Sequence, residues 1–118
     1  MKRDYTLFPK DDNGDVLWEF RTQGDALTEP REIDMSIIFP SEEAALEFAV
    51  LCLRSEFKVE LQEVEEEQED GLNWEVIVYT HAVPTHADVT VLEEELGKQA
   101  ATLGGRTSGW SAVFVPST

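Results

Sequence analysis

At 118 residues, 42% hydrophobic and 29% charged, the chain has the size and make-up of one domain that can bury a core without disulfides or metal. Its 25 acids against 9 bases leave a net charge of -16. That excludes a free-standing nucleic-acid binder and an electrostatic anchor on anionic lipid, since both need Lys and Arg. Cys52 is the lone cysteine, so no internal disulfide is possible and a reducing compartment is acceptable. The chain contains no run of ~18 apolar residues. Its opening, Met1-Lys2-Arg3-Asp4-Tyr5, lacks the apolar stretch of a signal peptide, and the expected location is cytoplasmic.

In chain order, the first feature is a polar turn, Asp11-Asp12-Asn13-Gly14-Asp15. Read as a calcium loop from Asp11, it would need Gly and Glu where Val16 and Thr22 stand, so it is expected to cap a helix instead. Val16, Leu17 and Phe20 then suggest a short amphipathic helix over 13–24, expected against an edge or the back of a sheet. In 33–39, Ile33, Met35, Ile37 and Phe39 recur with period two, which predicts a strand stopped by Pro40. Ser41 with Glu42 and Glu43 predicts a helix start. Ala44, Ala45, Leu46, Phe48, Ala49, Leu51, Cys52 and Leu53 form a wide apolar face on a helix over 41–55.

Phe57, Val59 and Leu61 predict a second strand, and Trp74, Val76 and Val78 a third that runs to about Val83. An acidic stretch over 63–70 and Gly71 make the turn between them, so a hairpin is expected. Pro84 ends the third strand. Thr85, Asp88 and Thr90 are candidate caps, with Thr90 and Glu93 spaced as a capping box. Val89, Leu92, Leu96, Ala100 and Leu103 form a helical core stripe that stops at Gly104-Gly105. Trp110, Ala112 and Phe114 alternate with Ser111, Val113 and Val115 in a last strand.

The order strand, helix, strand, strand, helix, strand with right-handed crossovers predicts an α+β fold, a ferredoxin-like sandwich with a four-stranded antiparallel sheet. The expected organisation is a single domain over 1–118, with an N-terminal extension over 1–30 and the core over 31–118. Both helices would cover one sheet face. Ile38, Val64, Ile77, Tyr79, Val113 and Val115 would point to the other, which then needs a cover: the N-terminal helix, a second copy or a partner.

The charge is uneven. Residues 41–70 hold eleven acids and two bases, residues 1–40 nine and five, and residues 71–118 five and two. Clustered carboxylates fit a docking surface for a basic protein segment, or a mimic of a nucleic-acid backbone. The candidate partner-binding residues are Glu63, Glu65, Glu66, Glu67, Glu69 and Asp70, with Trp110 watched for an interface role. No catalytic constellation is present. His81 and His86 stand five apart across a strand-to-helix corner, no recognised ligand spacing, and Cys52 reads as core. Direct RNA binding, which a ferredoxin-like sheet invites, needs aromatics among bases, whereas Tyr79 stands alone among acids. Neither metal nor cofactor is expected.

Several stretches together resemble the regulator of ribonuclease E activity B family. They are Phe8-Pro9-Lys10-Asp11-Asp12-Asn13-Gly14-Asp15-Val16-Leu17, then Pro30-Arg31-Glu32-Ile33-Asp34 leading to Phe39-Pro40, then Val83-Pro84-Thr85, then Gly104-Gly105-Arg106-Thr107-Ser108-Gly109-Trp110. The similarity runs in order from Phe8 to Phe114. It implies a ferredoxin-like sandwich and a small acidic protein that binds ribonuclease E and inhibits its cleavage of RNA without being an enzyme. On it, Pro9, Asp11, Gly14, Asp15, Pro40, Pro84, Gly105, Gly109 and Trp110 are structural positions. Where the family has Asp-Gly-Trp-Gly, this chain has Ser108-Gly109-Trp110-Ser111, and its Phe8-Pro9-Lys10-Asp11 opening resembles a divergent subgroup. The partner implied is a protein, ribonuclease E first; the apolar residues expected on the back of the sheet, separately, lead to a monomer or weak homodimer as the expected state. Two other readings stay open: an immunity or antitoxin protein that neutralises a toxin, and a metal-dependent enzyme using His81 and His86.

Overall fold

Ile33, Met35, Ile37 and Phe39 alternate along β1 (Arg31–Phe39) and are all nearly inaccessible to solvent, so one face of this strand is the centre of the core. The computed structural model describes residues 2–64 and 71–116, and all that follows concerns those residues. The other elements are α1 (Asp12–Thr22), α2 (Glu42–Arg54), β2 (Lys58–Glu63), β3 (Trp74–Ala82), α3 (His86–Ala101) and β4 (Arg106–Ala112). The sheet is antiparallel in the order β2-β3-β1-β4, with β1 and β3 inside. This is the ferredoxin-like α+β sandwich expected from the element order.

α2 packs over β2 and β3, and α3 over β4 and β1. Ser41 caps α2 by accepting from the Ala44 N–H at 3.2 Å. Ala45, Phe48, Ala49 and Cys52 turn inward and meet Met35, Ile37, Phe39, Val76 and Val78, with the Phe39 and Phe48 rings 5.0 Å apart. Leu46, Leu51 and Leu53 depart from expectation. They are exposed, because the sheet reaches only one side of the helix and the apolar face is wider than its contact.

Other expectations are corrected. Thr85, not Thr90, caps α3, accepting from the Asp88 N–H at 3.2 Å. Thr90 lies inside the helix, and with Glu93 it receives the side chain of Asn13. β4 begins at Arg106 and ends at Ala112, earlier than its alternation suggested. Beyond Ala112 the backbone turns to other partners: Val113 O accepts from Arg31, and the Val115 N–H donates to Asp25. Val115 therefore leaves the sheet, and Phe114 instead meets Phe20 of α1 edge-on. α1 itself sits beside α3 at the β4 end, so it does not cover the back of the sheet. Among the described residues, no helix packs on that face, although Ile38 on it is itself buried between its neighbours. No helix among them is long and apolar enough to cross a membrane.

Candidate protein-interaction surface

The polar turn before α1 builds a joint between α1, α3 and β4. Asp11 accepts from the Gly14 N–H at 2.7 Å, the helix cap expected of this turn. Its other oxygen lies 2.8 Å from His86 Nε2, at the first residue of α3. The Gly14 N–H, and then His86, hold the Asp11 carboxyl below its ordinary range. Asn13 is buried. Its amide donates to Thr90 and Glu93, while its Oδ1 accepts from the Trp110 indole at 2.8 Å. Gly14 has no room for a side chain, since a Cβ there would lie 1.8 Å from Pro9 O. Arg3 donates to Pro9 O at 2.6 Å and Asp15 Oδ1 at 2.8 Å, closing the turn from outside.

A second tie was not legible in the sequence. Arg31 and Asp25 form a buried ion pair, each almost without solvent contact. Asp25 also accepts from the backbone N–H of Leu27 at 2.8 Å and of Val115 at 3.0 Å. Burial pushes this carboxyl up, but Arg31 and the two N–H groups outweigh it and hold it at about 2. The segment after α1, the start of β1 and the chain just beyond β4 thus share one satisfied centre.

The remaining motif positions are architectural too. Pro84 is buried, and Pro40 stands over the Gly104 turn. Gly105 approaches the Phe39 ring so closely that a Cβ would lie 2.5 Å from it. Gly109 sits at a bulge of β4 opposite Ser36, at φ +139. Trp110 packs toward the helices beneath α1, so its indole N–H is committed inside the molecule.

The uncovered sheet face is acidic. Glu32 and Asp34 of β1, Glu60 of β2 and Glu75 of β3 share it with Ser36, Ile77 and Tyr79 and with two bases, Lys58, whose amine lies 4.9 Å from the Tyr79 ring, and Arg106 opposite Ile38. Ser36 and Gln62 both donate to Glu75, and Ser111 donates to Asp34 at 3.0 Å. A trough of about 390 Å³ runs between Asp34 and Glu75 over Ile77, open beside Gly109. Burial, then the nearby Glu60, Asp34 and Glu32 carboxylates, raise the Tyr79 phenol. Such a face repels phosphate and favours cations.

The acids singled out in the sequence divide. Glu63, the last residue of β2, is exposed. Glu65, Glu66, Glu67, Glu69 and Asp70 lie outside the described residues. The two histidines do not converge: His86 is held by Asp11, while His81 faces Glu32 across the β1–β3 pair on the sheet. Among the described residues, no group of three or more His, Cys, Asp or Glu is placed to hold a metal. Burial pushes the Cys52 thiol up to about 11, which fits a core residue.

A four-stranded antiparallel sheet with two helices on one face and carboxylates on the other places the chain in the class of small ferredoxin-like α+β proteins. The family model described as regulator of ribonuclease activity B matches residues 10–112, and the chain belongs to that family. No curated protein matches the chain.

Proposed function

We infer that this protein is a non-catalytic regulator that binds a ribonuclease, ribonuclease E being the expected one, and lowers its cleavage of RNA by occupying protein surface. The observation that carries this reading is the family match across residues 10–112. The net charge of -16 supports it, because an acidic protein is drawn to the cationic surfaces with which ribonucleases hold RNA. The proposed contact acids are Glu63 and the acids over 65–70, joined by Glu60 and the neighbouring carboxylates of the open sheet face. The complex forms in the cytoplasm, where RNA decay takes place.

The test mixes the purified protein with ribonuclease E from the same source and follows cleavage of a reporter RNA and co-elution together. Slower cleavage with co-elution is the expected result. Full-rate cleavage with no co-elution, both proteins being folded, overturns the reading.

A further inference from the structure

The two edges of the sheet are unlike. At the β4 edge the pairing with β1 is broken by a bulge between Ser36 and Ile37, and α1 is fastened there through Asn13 and Trp110. At the β2 edge the register is unbroken from Lys58 opposite Tyr79 to Glu63 opposite Trp74. The Val64 N–H reaches Asn73 O at 2.7 Å, so the antiparallel alternation turns the backbone of Lys58, Glu60 and Gln62 toward β3. The same alternation turns the N–H and C=O groups of Val59, Leu61 and Glu63 outward. Among the described residues, no strand pairs with them.

Above this edge lies α2. Leu46, Val50 and Leu53, spaced i, i+4 and i+7, are 46%, 44% and 56% exposed. A right-handed crossover from β1 through α2 to β2, with the helix's own right hand, puts this stripe on the flank away from α3, over the outer side of β2. An open strand edge and an apolar overhang therefore share one side of the molecule. Glu43 and Glu47 border the stripe on the helix, and Glu60 lies on the strand beneath, while Lys58 on the same strand is turned onto the Tyr79 ring.

We propose that the β2 edge is a strand-addition site for an extended, cationic segment of the ribonuclease, in which apolar and basic residues alternate. Its backbone pairs with the outward groups of Val59, Leu61 and Glu63. Its apolar residues tuck beneath Leu46, Val50 and Leu53, and its basic ones lie on the open face beside Glu60. Charge decides the occupant. Residues 41–70, which make up α2, β2 and the chain that follows, hold eleven acids and two bases. A second copy at this edge would set that excess against itself, while a cationic segment is attracted to it. The apolar overhang supplies the burial that a bare strand pairing lacks.

The inference rests on the ribonuclease reading, and one experiment separates the two. Amide hydrogen exchange is followed in the protein alone and in its complex with ribonuclease E. In the complex, the Val59, Leu61 and Glu63 amides are expected to slow at least about tenfold. The exposed-stripe variant Leu46→Gln/Val50→Gln/Leu53→Gln is expected to bind about tenfold more weakly with its melting temperature held. Co-elution without slowing at those amides overturns the edge site and leaves the functional reading standing. Slowing of the same amides in the protein alone, with a dimer mass, makes a second copy the occupant and overturns the proposal. Absence of co-elution and inhibition by the unaltered protein overturns the functional reading and this site with it.

Discussion

The indole N–H of Trp110 on β4 donates to Oδ1 of Asn13 on α1, a 2.8 Å bond between residues 97 positions apart. The same Asn13 side chain donates to Thr90 and Glu93 of α3. One buried amide thus sets the positions of a helix, a second helix and an edge strand at once. This explains why an Asn sits in the turn before Gly14 and a Trp enters the last strand, two features that look unrelated along the chain.

Asn13→Ala removes the acceptor and leaves the Trp110 N–H without its partner. A loss of about 1–3 kcal/mol is expected, the usual cost of orphaning a half-buried donor. Urea unfolding measures it, and the Trp110 environment should become wetter in the fluorescence spectrum. Stability equal to that of the unaltered protein would mean that the joint adds nothing.

Gly14→Ala places a methyl where Pro9 O already lies, 1.8 Å away. The turn must open to admit it, so the Asp11 cap and the Asn13 bonds go together. The expected loss is about 2 kcal/mol or more, at the upper end for a single methyl. Gly97→Ala is the control, because Gly97 lies inside α3 and the nearest atom to a Cβ there is the Thr107 methyl at 3.7 Å. That change is expected to be neutral or stabilising in the same melt.

Asp25 gives a pH prediction whose sign is fixed by its lowered carboxyl, about 2 against the ordinary 3.8. The folded chain releases this proton more readily than the unfolded one. Its contribution is therefore complete above the ordinary value and is lost as pH falls from about 4 toward about 2. Nuclear magnetic resonance titration of the side chain should show a midpoint near the lower figure. Asp25→Ala, which strands Arg31 in the interior, is expected to cost about 3 kcal/mol or more at neutral pH.

Reversing Glu65, Glu66 and Glu67 to Lys tests the acidic segment directly. Affinity for ribonuclease E should fall, and the dependence of that affinity on salt should flatten, because fewer charge contacts remain to be screened. Titrations at several salt concentrations measure both. An unchanged slope would remove these acids from the mechanism.

Much of the fold is legible in the sequence because local periodicity reports which face of an element is dry. The alternation of Ile33, Met35, Ile37 and Phe39, and of Trp74, Val76 and Val78, marks the same faces that the structure buries. The hairpin of β2 and β3 follows from their adjacency. Thr90 and Glu93 misled because i, i+3 spacing is common to a capping box and to any two neighbours on one helix face. Val113 and Val115 misled because alternation continues after the strand's partners have run out. The site residues were less legible. Pro9, Asp11, Gly14, Pro84, Gly105 and Trp110 stood out by their pattern as structural positions, yet the pattern did not say which residues each of them meets.

The sequence by itself determined the α+β class, the order of elements, the dry face of each strand and the acidic surplus, since each depends on composition or on short-range spacing. Only the tertiary structure decided that Asn13 meets Trp110, that Asp25 meets Arg31, and that Leu46, Val50 and Leu53 stand outside the core above an open strand edge. Those relationships join residues far apart in the chain or depend on how wide a sheet lies beneath a helix. Both are set by the packing of whole elements, which no local pattern encodes.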